Sequence, residues 1–347
     1  MKHAAIETMN RLGGAGTPFI CLLDVENSHP RVLPIDSLNT AEISFATPLG
    51  EFPAAQHRTP IHIDPCSASS AAAADAALLT VHRPVCRQRY QSGFQVIRHG
   101  LLRGDSFLAN LTYPVEIATP VSLYHIHRVA HARYRLWWRD HFTVFSPETF
   151  VTITPDGEIA TFPMKGTIAA DLPDAARQLM ENPKEAAEHL TVVDLLRNDL
   201  GRIGRRVRVE RYRYLDRIHS PAGDILQASS EIRAELGSGW RARIGDLLQE
   251  LLPAGSITGA PKCRTMELIA EAEGEPRGYY TGVFGHFDGQ QFCSGVMIRF
   301  IEQRPGGLPD ASMLPGLRFR AGGGITIYSQ EDEEYAELHT KVRIPVR

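Results

Sequence analysis

The chain has 347 residues, 43% of them apolar and 22% charged, and a formal net charge of −3. That is enough for a sizeable core, and the near-neutral balance gives no reason to expect nucleic acid or an anionic membrane as a partner. Its five cysteines (Cys21, Cys66, Cys86, Cys263, Cys293) are scattered with no CxxC or Cys/His cluster, which argues against a disulfide framework or a zinc site. With no leader and no apolar run of ~20 residues, a cytoplasmic protein is expected.

In chain order, Phe19–Asp24 and Glu42–Phe45 predict strands. Residues 46–80, proline-rich and then alanine-rich, predict a loop followed by a short helix or linker. Phe94–Leu101 predicts an amphipathic helix ending near Gly104, and Phe107–Pro114 and Val121–Ile126 predict strands or turns. Phe142–Phe150 and Glu158–Pro163 flank Thr154-Pro155-Asp156-Gly157, a strong turn signal. The resulting hairpin should bring Glu148 and Lys165 towards one sheet edge. Residues 171–199 predict a helix, with Ala175, Leu179, Ala186, Leu190 and Val193 near helical spacing.

Strands are expected again at 207–209 and 222–236, and helices at 244–252 and 262–273, the latter opened by Pro261. Residues 282–287, 291–300, 316–321 and 324–328 predict four antiparallel strands, and 331–342 a closing helix. Strand runs interrupted by helices, without βαβ alternation, indicate an α+β fold with large antiparallel sheets.

Several short segments carry possible chemistry. Lys165-Gly166-Thr167 sets an amine beside a glycine turn, as either a solvated strand-end charge or a nucleophile. Residues 194–201 (DLLRNDLG) read on spacing alone as the end of an amphipathic helix, with Arg197 and Asp199 solvated and Gly201 as the stop. Glu334 and Glu337 share a face of the closing helix, with Lys341 one turn on; this is either a charged surface or, joined by Glu188, a set of hard donors for a cation such as Mg2+. The loop Gly255–Lys262 opens a helix and either favours an anion or is a tight connection. Three glycines, Gly322, Gly323 and Gly324, between two strands cost conformational entropy, which close approach of a ligand would explain. Arg299, in an apolar strand, is a sheet-face charge or a fork for a carboxylate.

The order of these motifs is more specific than any one of them. Ser146-Pro147-Glu148, Pro163-Met164-Lys165-Gly166-Thr167, Ala187-Glu188-His189, residues 194–201, Gly255–Lys262, Ile298-Arg299 and Ala321–Ile325 together closely resemble the chorismate-utilising enzymes over roughly residues 90–345. That family includes component I of anthranilate synthase and of aminodeoxychorismate synthase, and the isochorismate and salicylate synthases. The resemblance implies their fold, large antiparallel sheets packed as a sandwich with helices outside. Residues 1–85 would form a shortened strand-rich N-terminal segment of that fold, and 86–347 the catalytic domain.

In this family a lysine at the position of Lys165 marks aminodeoxychorismate synthases, whereas anthranilate synthases carry alanine. The resemblance therefore implies amination of chorismate at C4. Lys165 would add at C2 as the C4 hydroxyl leaves, and ammonia would then displace it by attack at C4. Glu148 would be the acid/base. Glu188 and Glu337, with Glu334 assisting, would hold Mg2+ against the ring carboxylate. Arg299, Lys341 and the backbone of Gly322 to Gly324 would hold carboxylates, with Thr167, Thr258 and His219 lining the pocket. Physically, a dianion with a poor leaving group calls for a cation, fixed donors and a proton source.

Where relatives carry glutamine or a water-activating lysine, this chain has Leu108, which argues against hydroxylation. A tryptophan-feedback element is not evident, so no tryptophan regulation is expected. Ile327-Tyr328 stands where Ala-Asp is usual, a change that bears on the metal site. No nucleophile elbow surrounds any cysteine, so ammonia is expected from a separate glutamine amidotransferase subunit. The alternatives are anthranilate synthase component I and a homologue that only binds chorismate.

Overall fold

The computed structural model describes residues 1–53, 79–218, 224–259, 261–303 and 316–344. The elements in chain order begin with α1 (His3–Gly14), β1 (Phe19–Leu23), β2 (Arg31–Pro34), β3 (Ile43–Thr47), β4 (Gly50–Phe52), β5 (Thr80–Arg83), α2 (Arg87–Arg103), β6 (Ala109–Ala118) and α3 (Leu123–Val129). There follow β7 (Tyr134–Trp138), β8 (Phe142–Ser146), β9 (Thr149–Ile153), β10 (Glu158–Thr161), β11 (Met164–Ala169), α4 (Ala175–Glu181) and α5 (Pro183–Ile203). The remainder is β12 (Arg205–Ile218), β13 (Ile225–Glu235), α6 (Ile244–Leu251), α7 (Gly255–Thr258), α8 (Lys262–Glu273), β14 (Val283–Phe287), β15 (Phe292–Val296), β16 (Phe300–Gln303), β17 (Leu317–Ile325) and α9 (Glu331–Thr340).

Among the described residues the strands form two antiparallel sheets. One has nine strands, ordered β11-β13-β10-β9-β15-β14-β1-β2 with β12 on the far side of β13; the other has eight, ordered β4-β3-β7-β8-β16-β17-β6-β5. Successive side chains along a strand point to opposite faces, and in central strands such as β1, β8, β14 and β15 both faces are buried. In β1, Ile20 and Leu22 join Phe45, Leu136, Phe284 and Phe300 in an apolar layer drawn from both sheets, while Phe19, Cys21 and Leu23 face the core shared with α1, α5 and α6. A second outer core lies between the eight-stranded sheet and α2, α8 and α9. Phe45 meets Phe284 edge-on at 5.8 Å across the inner layer. Each such phenyl contributes roughly 2–3 kcal/mol by burial. The expected sandwich with outer helices is the fold observed. The N-terminal strands belong to both sheets, β1 between β14 and β2 and β3 beside β7.

Several local expectations are corrected. No element was expected ahead of β1, where α1 buries Ile6, Met9 and Leu12. Val121–Ile126 is largely helix α3, capped by the Ser122 side chain. The helix expected over 171–199 breaks at Asn182-Pro183, where Asn182 caps α5 with proline in its first turn; Leu190 is exposed. Gly201 does not stop this helix, which runs on to Ile203 and ends at Gly204. Asp199 is buried and paired with Lys262 at 2.8 Å rather than solvated. The two strands expected on either side of the glycine run are one continuous strand, β17, paired along its whole length with β6. Most of the 46–80 stretch lies outside the described residues.

Candidate active site

The site forms where two neighbouring strands change sheets. β8 belongs to the eight-stranded sheet and β9 to the nine-stranded one, so Pro147 and Glu148 carry the chain between them. Alongside, β15 and β16 make the reverse passage through Met297-Ile298-Arg299. Two backbone bonds tie the crossings together, Phe145 N–H to the Arg299 carbonyl and Val296 N–H to the Glu148 carbonyl, both at 3.1 Å. The sequence suggested unbroken strands over 142–150 and 291–300, with Arg299 inside the second. Instead Arg299 has a φ of 55°, left-handed for a non-glycine residue. Ladders on both sides hold it in that conformation.

A cavity of about 160 Å³ lies at this seam. It is bordered by Glu148 and Arg299 from the crossings, Lys165 from β11, Ser256 from α7, Gly322 and Gly324 from β17, and Lys341 just beyond α9. Lys165 enters through a bulge: the β11–β13 register shifts between Met164 and Thr167, and Gly166 has a φ of 82°. A bulge re-aims a side chain. The left-handed φ of Gly166 is what calls for glycine here; an added Cβ would also crowd the ends of the Glu185 and Leu179 side chains, each at 2.9 Å.

The charges in the cavity oppose one another. Burial holds the Glu148 carboxyl above the usual carboxylate range, against a hydrogen bond from Ser256 and the positive charges of Lys165 and Lys341. The Ser256 hydroxyl donates to Glu148 Oε1 at 2.7 Å. Lys341 Nζ donates to the Gly322 carbonyl at 2.9 Å and pairs with Glu337 at 2.6 Å. The Arg299 guanidinium donates to the Lys341 carbonyl. Burial disfavours the charged form of Arg299, a cost that an incoming carboxylate would offset.

Glu334 is buried and accepts a hydrogen bond from the Ser329 hydroxyl at 2.7 Å. A Cβ on Gly323 would lie 3.1 Å from Glu334 Oε2 and 3.6 Å from Glu337 Oε1, so these two carboxylates flank the middle glycine. Glu188 borders a smaller neighbouring cavity with Phe107, Leu108, Ile327 and Tyr328. Burial raises the pKa of Glu188 and of Glu334, and the charge of Glu337 pushes both further in that direction. Among the described residues no group of three His, Cys, Asp or Glu side chains is close enough to hold a metal. Glu334 and Glu337 beside Gly323, and Glu188 at the neighbouring cavity, supply hard oxygen donors of the kind that suit Mg2+.

Not every expected lining residue is there. Thr167 is exposed, on the β11 residue just past the bulge. Thr258 is buried with its hydroxyl spent on the Ala254 carbonyl of its own turn, at 3.1 Å. His219 lies outside the described residues. The 255–262 loop is a close connection rather than an anion cradle: a Cβ on Gly259 would fall 1.6 Å from the Leu108 carbonyl, and Lys262 is engaged by Asp199 and the Leu251 carbonyl. The sequence reading missed Ser256, whose only signal was its place in that loop, and also Asn110, Tyr280 and Arg320. Ile327 and Tyr328 are exposed, while the adjoining Ser329–Glu334 bond is made.

An α+β sandwich with an amine, a carboxyl and three further cations, Arg299, Arg320 and Lys341, around one seam cavity defines an enzyme class that handles a small anion. The chain belongs to the chorismate binding enzyme family, whose model matches residues 53–347. It is 43% identical over 345 residues to an uncharacterised PabA-like protein of Pasteurella multocida, covering 99% of both chains. It is 34% identical over 200 residues to anthranilate synthase component 1 of Archaeoglobus fulgidus, covering 57% of this chain and 45% of that one. The menaquinone-specific isochorismate synthase of Escherichia coli superposes with a TM-score of 0.67 at 17% identity, over 97% of this chain and 79% of that chain; at that identity the likeness establishes the fold alone. No helix among the described residues is long and apolar enough to cross a membrane.

Proposed function

We propose that this protein is an aminodeoxychorismate synthase component I, converting chorismate and ammonia to 4-amino-4-deoxychorismate for p-aminobenzoate and folate synthesis. The observation that carries the reading is that the Lys165 amine and the Glu148 carboxyl border one cavity together with Arg299 and Lys341. Arg299 and Lys341 would bind the substrate's carboxylates, aided by the β17 backbone. The neutral Lys165 nitrogen bonds to C2, both ring double bonds shift by one position (C1=C2 to C1=C6 and C5=C6 to C4=C5), and the C4–O bond breaks as Glu148 protonates the departing hydroxyl, which leaves as water. Ammonia then bonds to C4, both double bonds shift back, and the C2–N bond breaks to release Lys165. Glu148, now ionised, takes a proton from the incoming nitrogen.

Glu334 and Glu337, with Glu188 drawn towards them, would hold Mg2+, which would neutralise the ring carboxylate. Leu108 carries no group that activates water, and its Cδ1 lies 3.1 Å from the Cβ position of Gly324, so the site does not favour hydroxylation. Ammonia would come from a separate glutamine amidotransferase subunit in the cytoplasm. The roles proposed fall within residues 86–347, with 1–85 completing the same two sheets.

The direct test is a product assay with chorismate, ammonium and Mg2+ that resolves aminodeoxychorismate from anthranilate and isochorismate. Aminodeoxychorismate as the main product is expected, and anthranilate in its place would overturn the assignment. A second expectation concerns binding alone. Chorismate with Mg2+ at about a hundred times its Kd should stabilise the folded protein by roughly 2.7 kcal/mol, visible as a raised Tm. Most of that gain should vanish with EDTA or in Glu334→Gln. Equal protection with and without the metal would remove the cation from the proposal.

A further inference from the structure

We infer that Ser256 is a positioning residue that fixes which oxygen of Glu148 carries the transferable proton. The inference rests on the functional reading above, in which Glu148 acts as the acid. The geometry begins with α7, a single turn closely packed at both ends, against side chains at Gly255 and against backbone at Gly259. A Cβ on Gly255 would lie 3.0 Å from Asp199 Oδ2 and one on Gly259 would overlap the Leu108 carbonyl. Within this turn Thr258 spends its hydroxyl on Ala254, and of the two residues that border the cavity, Ser256 and Ile257, Ser256 is the one with a polar side chain. The Asp199–Lys262 pair, with Lys262 also donating to the Leu251 carbonyl, fastens the start of α8 directly behind it.

The Ser256 hydroxyl has one proton, and the structure directs it to Glu148 Oε1. An oxygen that accepts this bond acts as the carbonyl oxygen of the protonated acid, so the acid proton is left on Oε2. Without Ser256 either oxygen could carry it, and the carboxyl group would be free to rotate. Lys165 from β11 and Lys341 beyond α9 act on the same carboxyl through their charge. Arg299, Arg320 and Tyr280 border the same cavity. Of these neighbours Ser256 is the one that hydrogen-bonds to Glu148. Its bond favours the ionised form, in opposition to burial.

The test compares wild type, Ser256→Ala and Ser256→Thr in kcat and KM against pH. A parallel titration without chorismate follows the Glu148 carboxyl band by infrared spectroscopy, assigned with Glu148→Gln. Ser256→Ala should lower kcat about tenfold while KM stays within about twofold. An acid is lost as pH rises through its pKa, and removing a bond to the ionised form moves that loss upward. The alkaline limb of kcat and the carboxyl titration should therefore both shift to higher pH, and Ser256→Thr should restore them. An unmoved carboxyl titration in Ser256→Ala, or equal losses in the alanine and threonine variants, would overturn the role. A shifted titration in a protein that makes no aminodeoxychorismate would leave Ser256 coupled to Glu148 and sink the functional reading instead.

Discussion

Lys165→Ala is expected to lose aminodeoxychorismate formation by on the order of 10³-fold or more, while chorismate affinity changes by less than about tenfold. The asymmetry follows from what the side chain is proposed to do. As one of several cations beside the cavity, with Arg299 and Lys341 remaining, it is partly redundant for holding a dianion. As the amine that bonds to C2 it has no substitute, because ammonia alone would have to displace a poor leaving group in one step. Lys165→Arg separates the two roles by keeping a charge and removing the nucleophile, and it should be as inactive as alanine. Mass spectrometry of wild type quenched with chorismate in the absence of ammonia should find Lys165 carrying chorismate less one water. A Lys165→Ala enzyme within tenfold of wild type, or no adduct in wild type, would reduce the lysine to an electrostatic role.

The fold class was legible because the apolar, strand-forming character of short runs is local. Phe19–Leu23 and Val283–Phe287 are strand-like whatever surrounds them. What the sequence hid was where strands leave one sheet for the other. Nothing in Phe142–Phe150 marks a change of sheet except Pro147, and nothing in Gln291–Phe300 marks one at all, since Arg299 is in a left-handed conformation that only tertiary pairing imposes. Those crossings place Glu148 beside Arg299, so the residues could be nominated from motif order but not assembled. The choice between hydroxyls failed for a related reason. Ser256 and Thr258 stand two apart in a single turn, and only the packing of Gly255 and Gly259 decides which of them meets the cavity. The glycine run was expected to separate two strands. Gly322 to Gly324 instead lie inside one, which changes the reason for each glycine.

That difference makes opposite predictions for neighbouring positions. A Cβ on Gly322 would sit 2.1 Å from the Leu111 carbonyl oxygen and 2.6 Å from Thr112 Cα, atoms of the paired strand β6 that cannot swing aside. Gly322→Ala must therefore part the β17–β6 ladder and with it displace the carbonyl that anchors Lys341. It should cost about 3 kcal/mol of folding stability, at the upper end for an overpacked site, and abolish activity in what remains folded. A Cβ on Gly324 would instead meet Leu108 Cδ1 at 3.1 Å and Lys165 Nζ at 3.4 Å, both ends of side chains that can yield. Gly324→Ala should unfold in urea within about 1 kcal/mol of wild type, yet lower kcat at least tenfold, because the added methyl would lie against the nucleophilic amine and crowd the space the substrate ring must enter. Denaturation curves and product assays on the two variants separate the cases. If Gly322→Ala melted like wild type, the close β17–β6 approach would not be a requirement of the fold. If Gly324→Ala lost stability and activity in step, its glycine would serve packing rather than the placement of Lys165.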